Sequence, residues 1–175
     1  RTVFHPGCNF AEKNHHDNSI YRDKVMMLNT ATEALTELKI EGYEGQDFVS
    51  HGMAMLPSED KNDNSNYLFF VNHKRTGSVI SVFKHQKGTS AVQFQHEFKH
   101  PGIKTPNSVA PVSPFEVYVT NDHYFRARAL KMVEAILGPF PITNVVRCTV
   151  NPAHPTKGAS CTSVLSGLAY ANGIE

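Results

Sequence analysis

The chain has 175 residues, of which 17 are Lys or Arg and 16 are Asp or Glu, giving a formal net charge of +1. This balanced charge produces no field that would draw the chain to nucleic acid or to an anionic lipid surface. No apolar run is long enough for a transmembrane helix. The length suffices for one hydrophobic core, so we expect a single domain over residues 1–175.

Short strand patterns recur along the chain and are separated by turns rich in Gly, Pro, Asn and Asp. They predict eight strands, at residues 24–28, 35–40, 67–71, 78–83, 92–98, 117–120, 144–150 and 161–165. This spacing is typical of a mainly antiparallel all-β protein, which could be a sandwich, a barrel or a propeller. No internal repeat is visible that would choose among the three.

One helix is predicted, at residues 126–137. Apolar side chains recur there at helical spacing, at Ala129, Leu130, Val133, Ile136 and Leu137. Gly138 and Pro139 follow directly and are a good stop signal. Because the helix follows the strand pattern at 117–120, it should cover the rim of the sheet at that strand's end.

The strand pattern at 117–120 ends on Asn121 and Asp122. Neighbouring residues of a strand point to opposite sides, so two side-chain oxygens could reach two different positions. Carboxylate and amide oxygens suit Ca²⁺, whereas Zn²⁺ prefers His nitrogen or Cys sulfur. The alternative is a turn, in which the same side chains bond to the backbone.

Of the three cysteines, Cys148 and Cys161 flank a turn-rich loop between two strand patterns. A hairpin of that shape could bring them within bonding range, and the alternative is two buried thiols. Cys8 is left over. The chain starts at Arg1 without a signal-peptide pattern, which we interpret as a processing boundary that slightly favours a secreted or vacuolar origin.

Four motifs occur in a recognisable order: SHGM at 50–53, VNH at 71–73, TNDHYF at 120–125 and ANGI at 171–174. With them the chain resembles, from about residue 24 to its end, the paraoxonase and arylesterase family of calcium-dependent lactonases. The resemblance implies a six-bladed β-propeller with one helix over its top face. The predicted strands, with a few missed ones, would make about half to two-thirds of that ring. A second polypeptide or a missing segment would complete it.

The resemblance also implies a hydrolase of lactones and aryl esters with two calcium ions. His51 would be the base that activates water, and His73 its proton-relay partner. Ligands of the catalytic calcium would be Asn121 and Asn172. A structural calcium would be held by Asp122 and by the backbone carbonyl of Met53.

By the same resemblance, the helix at 126–137 would wall the active site, a role we favour over membrane contact. His123 belongs to the TNDHYF motif, but strand alternation points it differently from its neighbours, so we expect it to pack or to support other site residues rather than act as the base.

The chain departs from the family pattern at two places. A Glu-Asp pair on an early strand and an Asp-Asn pair beyond ANGI are both missing. The chain therefore supplies roughly half of the implied calcium ligands. His15, His16 and Asp17 do not replace them, because adjacent histidines lack metal-ligand spacing. This keeps open an alternative, a non-catalytic propeller chain that keeps calcium for stability and binds a protein partner or an apolar ligand.

Overall fold

The computed structural model describes residues 2–6, 20–125, 128–137 and 141–175. Within them, eleven strands and one α-helix form an all-β architecture. The strands are β1 (Thr2–Pro6), β2 (Val25–Asn29), β3 (Leu35–Glu41), β4 (Ser50–Pro57), β5 (Ser65–Lys74), β6 (Gly77–Gln86), β7 (Ala91–Phe98), β8 (Pro106–Ser113), β9 (Glu116–Asn121), β10 (Thr143–Val150) and β11 (Ala159–Leu168). The helix α1 (Arg128–Leu137) lies between β9 and β10.

All eight predicted strands are confirmed, with ends that differ by a few residues. The three that the sequence pattern missed are β1, β4 and β8. The helix is confirmed over 128–137, and residues 126, 127, 138 and 139 of its predicted ends lie outside the described part. Cys8 and the cluster from His15 to Asp17 also lie outside it.

The strands form two four-stranded antiparallel meanders, which we call the first meander (β4–β7) and the second meander (β8–β11). A third, three-stranded unit, β1–β3, joins the first meander through a short parallel pairing of β3 with β7. The strands β4 and β8, which we call the leading strands, contact each other. Side-by-side meanders of this kind are the blades of a propeller, so the chain forms part of a β-propeller, as predicted.

The first meander is buried on both of its faces. Side chains alternate along β5, so Phe69 and Val71 pack towards the second meander, while Leu68 and Phe70 pack towards β1–β3. On β6, Phe83 completes the second of these clusters. The two layers of apolar contact hold the three units together, since the hydrophobic effect scales with the apolar area removed from water.

Cys148 and Cys161 are cross-strand partners on β10 and β11 and form a disulfide. The disulfide alternative of the sequence analysis is therefore the one found. Cys148 is fully buried in the core between the two meanders, so the bond joins the outermost strand of the second meander to that core.

The helix α1 is tied to the segment that follows β9. The carboxylate of Glu134, which is 5% exposed, accepts hydrogen bonds from the backbone N–H groups of Tyr124 (2.9 Å) and Phe125 (3.4 Å). The apolar side chains of Leu130 and Ile136 are exposed, to 44% and 78%. In the described part of the chain, no helix has the length and apolar character needed to cross a membrane.

Candidate active site

His51 lies in a β-bulge on the leading strand β4. Ser50 pairs with Asn72 and Met53 pairs with Phe70, so His51 and Gly52 together face a single residue of β5. Bulges of this kind redirect a side chain and are frequent beside active sites. The bulge re-aims His51 away from the regular alternation of the strand.

The backbone just before this bulge is held by partly buried hydrogen bonds. Asp23 Oδ2 accepts the Ser50 N–H at 2.7 Å and the Ser50 hydroxyl at 3.1 Å. Asn72 Oδ1 accepts the N–H of Val49 at 2.8 Å. Asn72 is fully buried and also donates to the carbonyl of Asp47. The backbone before His51 is therefore fixed by two side chains, Asn72 on β5 and Asp23 in the segment before β2.

The other leading strand, β8, has a bulge of its own at Asn107. Pro106 pairs with Asn121 and Ser108 pairs with Thr120, which leaves Asn107 as the extra residue. The two bulges face each other at very short range. A Cβ atom added to Gly52 would lie 2.2 Å from the carbonyl oxygen of Asn107, so only glycine permits this approach.

The side chain of Asn107 joins His51 to Asp122. Its Nδ2 lies 3.2 Å from His51 Nε2 and 3.3 Å from Asp122 Oδ2. An amide nitrogen only donates, so with the amide in this orientation His51 accepts through Nε2, which requires the neutral ring with its proton on Nδ1. Neutral imidazole is the form that a general base needs.

His73 stands next to His51. The centroids of the two rings are 5.6 Å apart and the ring planes are tilted by 56°. Nδ1 of His73 is 3.0 Å from the hydroxyl of Ser78, its cross-strand partner, and its backbone N–H donates to the carbonyl of Val49. The structure thus brings the two predicted histidines together, one from each of two neighbouring strands.

Asn121 is buried, at 1% exposure, and all of its amide group is engaged. Its oxygen accepts the N–H groups of Lys104 (2.9 Å) and Thr105 (3.0 Å). Its nitrogen donates to the carbonyl of Gly102 (2.9 Å) and to Asn144 Oδ1 (2.8 Å). In this arrangement Asn121 holds the loop before β8, whereas its neighbour Asp122 reaches Asn107.

Of the two remaining predicted ligands, Met53 lies on the leading strand β4 and Asn172 lies after β11. Met53 follows the bulge in β4, and Asn172 is exposed just after the buried Ala171. A cleft of about 660 Å³ lies here, and its lining includes Met53, Ser108 and the three residues after Asn172. The end of the chain therefore runs across both leading strands, close to the bulges.

His123 lies apart from the two paired histidines. Its ring packs edge-on against Tyr170, with 5.4 Å between the ring centroids. Its Nδ1 lies 3.6 Å from a carboxylate oxygen of Glu134. These contacts place it between the end of β9 and the helix α1.

The oxygen donors near the bulges are amides, backbone carbonyls and two carboxylates, Asp122 and Asp23, of which Asp23 is bound to Ser50. In the described ranges, no three His, Cys, Asp or Glu side chains come together as a metal site. A donor set of this chemistry suits a hard cation such as Ca²⁺, which takes six to eight oxygens. The described residues fit part of such a shell.

Two residues of this site were missed in the sequence analysis, Asn107 and Ser78. Asn107 was missed because Pro106 and Pro111 interrupt the alternation of β8, so no strand was predicted there. One signal in the sequence could have found it: Asn107 directly follows Pro106 at the end of a turn-rich segment. Ser78 carries no signal of its own and is found only through its pairing with His73.

The fold and the site together define the class: a β-propeller with a polar cluster where its leading strands meet. Comparison with known proteins gives the family. A model of the arylesterase family matches residues 7–175, so the chain belongs to the arylesterase family.

Among its relatives, mouse serum paraoxonase/arylesterase 1 is 32% identical over 152 residues, which cover 86% of this chain and 39% of that protein. Human serum paraoxonase/arylesterase 2 is also 32% identical, over 86% of this chain and 40% of its own length. Mouse serum paraoxonase/lactonase 3 is 30% identical over 66% of this chain and 32% of its own length. The chain spans about two-fifths of the length of the first two of these relatives.

Proposed function

We propose that this chain carries part of the active site of a calcium-dependent hydrolase of lactones and aryl esters. The observation that carries the proposal is the contact of Asn107 with both His51 and Asp122 where the two bulges meet. It joins a neutral imidazole to a carboxylate at the rim of the sheet. Family membership and the names of the relatives, arylesterase and lactonase, support the same reaction class.

In this proposal His51 is the general base. Its Nε2 takes a proton from the attacking water, whose oxygen bonds to the carbonyl carbon of the substrate. The ring C–O bond of the lactone then breaks, and the leaving alkoxide takes the proton back from His51. The sum is one lactone and one water converted to one hydroxy acid. A water molecule must first take the place that Asn107 Nδ2 holds at Nε2.

His73 would act as the proton-relay partner of His51. Its ring lies beside that of His51, and the hydroxyl of Ser78 fixes the orientation of its Nδ1 side. An imidazole can both accept and donate a proton, which suits a relay between two histidines.

The residues that would hold calcium are Asp122, Asn107, Asn172, Asn121 and the backbone carbonyl of Met53. When bound, the ion would polarise the substrate carbonyl and stabilise the oxyanion. As in the sequence analysis, Asn121 and Asn172 belong to the catalytic ion and Asp122 and Met53 to the structural ion. Coordination by Asn121 requires its oxygen to leave the backbone N–H groups of Lys104 and Thr105.

The rest of the propeller and of the calcium shell would come from a second polypeptide or a further segment of the same protein. The relatives are more than twice as long as the matched region, and the described residues near the bulges fit part of a calcium shell. Light scattering of the purified protein tests this, because a monodisperse, folded monomer of 175 residues would contradict it. The disulfide supports a secreted or vacuolar location, since such bonds persist in oxidising compartments.

The test of the activity is His51→Gln, with His154→Gln as the matched control on an exposed loop. Turnover of a chromogenic lactone, measured on the purified protein with any polypeptide that copurifies, should fall about 100-fold or more in His51→Gln. Calcium binding measured by titration should stay largely intact, and His154→Gln should behave as the unmodified protein. Unchanged turnover in His51→Gln would reject His51 as the base.

A second candidate function is the non-catalytic one, a calcium-stabilised propeller chain that binds a protein partner or an apolar ligand. The exposed apolar side chains of α1, with Met132 at 58% and Ile136 at 78%, favour it. Calcium binding without any lactone or aryl ester turnover in the unmodified protein would select this function over the first.

A further inference from the structure

A second cleft lies on the outer side of the seam between the two meanders, and we call it the seam cleft. It has a volume of about 880 Å³, and its walls come from the end of β7, the loop before β8 and the turn before β11. Its lining does not include His51, His73, Asn107 or Asp122. Ser78 is the link to the candidate active site, because it lines this cleft and bonds to His73.

The seam cleft is lined by three lysines, Lys99, Lys104 and Lys157. All three are exposed. None forms an ion pair with a described carboxylate. Like charges that converge on one concave surface raise the local potential and attract anions.

The one carboxylate in the lining, Glu97, does not cancel this charge. One of its oxygens forms an ion pair with Lys74 at 2.7 Å and accepts the hydroxyl of Ser81 at 3.0 Å. The hydroxyl of the buried Tyr43 also donates to it. Hydrogen bonding to Glu97 and above all burial raise the pKa of Tyr43, so its hydroxyl keeps the proton that it donates. The negative charge of Glu97 is thus compensated by Lys74 on β5.

His100 adds a donor whose tautomer is fixed. Its Nδ1 accepts the N–H of Gly102 at 2.9 Å, so in the neutral ring the proton is on Nε2. An N–H of this kind, next to ammonium groups, favours a carboxylate as the bound group.

The cleft also has an apolar part. Ile103 is 4% exposed and lies in its wall together with Phe94 and the ring of Tyr124. The ammonium group of Lys104 lies 4.6 Å from the centroid of that ring, a cation–π contact that holds the lysine at the edge of the apolar surface. A ligand with a charged head and an apolar body would contact both kinds of surface at once.

His96 is a buried residue in the same wall of the cleft. It is 2% exposed, and its Nε2 has no hydrogen-bond partner among the described residues. Buried nitrogen atoms are rarely left without a partner. This nitrogen is shielded from solvent, so a ligand in the cleft would not contact it; the ring stacks on Phe115 instead, with 5.4 Å between the ring centroids.

We propose that the seam cleft is a binding site for a small organic carboxylate, with the head group held by Lys99, Lys104 and His100 and the apolar body against Ile103 and Tyr124. The site is separate from the candidate active site and its occupancy needs no turnover. The proposal therefore stands or falls independently of the hydrolase activity.

The test is calorimetric titration of the purified protein at low salt with hexanoate as the probe. The variant Lys99→Gln/Lys104→Gln should weaken hexanoate binding about fivefold or more, since each exposed ion pair contributes up to about 1 kcal/mol. The matched control, Lys61→Gln/Lys87→Gln, removes the same charge from two exposed lysines outside the cleft and should leave binding unchanged. Hexanol, the neutral analogue, should bind about tenfold more weakly than hexanoate.

If hexanoate binds, three outcomes would still overturn the proposal: equal weakening in both double variants, equal binding of hexanol and hexanoate, or sulfate binding as tight as hexanoate. The first means that only net charge matters, and the third that the cleft holds a counter-ion without selecting an organic body. Thermal midpoints of both variants, which we expect to match the unmodified protein, separate these outcomes from unfolding. No detectable hexanoate binding to the unmodified protein would also refute it.

Discussion

The middle strands of the first meander and the two leading strands are built in opposite ways. The strands β5 and β6 pair over ten residues without a shift of register, and their apolar side chains are buried on both faces. The strands β4 and β8 each contain a bulge, pair more irregularly, and place His51 and Asn107 at their point of contact. Regular pairing provides stability, and its local interruption provides polar groups for chemistry.

The comparison predicts that the largest loss of stability comes from the middle strands. Phe69→Ala removes a fully buried ring between the two meanders and should lower the free energy of unfolding by about 3–5 kcal/mol. The control Leu35→Ala changes a side chain that is 62% exposed and should have little effect. Urea denaturation measures both, and similar losses would contradict the assignment of the core to β5 and β6.

A change at the bulge should damage the site as well as the fold. In Gly52→Ala the new Cβ would meet the carbonyl oxygen of Asn107, so the leading strands must separate, at a cost of about 1–3 kcal/mol. We expect lactone turnover to fall more steeply than stability, because the contact between His51 and Asn107 opens.

The matched control for stability is Gly173→Ala, where no atom lies within 4 Å of the added Cβ. Turnover by Gly52→Ala at the level of the unmodified protein would show that the close approach of β4 and β8 is not needed for the chemistry.

The smallest effect on stability is expected at a contact that joins the segment before β4 to the turn between β5 and β6. Asp47, just before β4, accepts hydrogen bonds from Arg75 in the turn between β5 and β6. Burial acts to raise the pKa of Asp47, but the hydrogen bonds from Arg75 and from the Tyr21 N–H outweigh it, and the pKa is lowered. The stabilising effect is therefore present above the ordinary Asp pKa of about 3.9 and is lost as pH falls through the lowered value.

Asp47→Asn should remove this dependence and lower stability at neutral pH by about 1 kcal/mol or less, because Arg75 is partly exposed. Urea midpoints at neutral pH and near pH 3 measure the stability and its dependence on pH. The control is Asp60→Asn on an exposed loop. An equal acid dependence in Asp47→Asn and the unmodified protein would assign the acid sensitivity to other carboxylates.

The sequence predicted the regular middle strands β5 and β6 and missed the bulged leading strands β4 and β8. Continuous apolar alternation predicted β5 and β6, and their confirmed lengths exceed the prediction because polar ends such as Ser65 and Lys74 still pair. The strands β4 and β8 were missed because Gly52, Pro106 and Pro111 break the alternation at or near the bulges. A site built on interrupted strands is hidden from methods that search for regular ones.

The candidate site was predicted in part. His51 and His73 were expected as a pair, and their rings do lie side by side. Asn121 and Asp122 were assigned to two different calcium ions, and in the structure Asn121 is bonded to backbone groups whereas Asp122 contacts Asn107. Strand alternation predicts that such neighbours point to opposite sides, but it does not predict which residues each of them contacts.

The sequence by itself determined the all-β class, the order of most strands, the helix, and through its four motifs the family. These properties depend on local periodicity and on residue identity, which a sequence displays directly. The tertiary structure alone decided that Cys148 bonds to Cys161, that Asn107 joins His51 to Asp122, and that three lysines converge on the seam cleft. Each of these depends on the register and packing of strands distant in the chain, because a shift of one residue would turn the side chain to the opposite face.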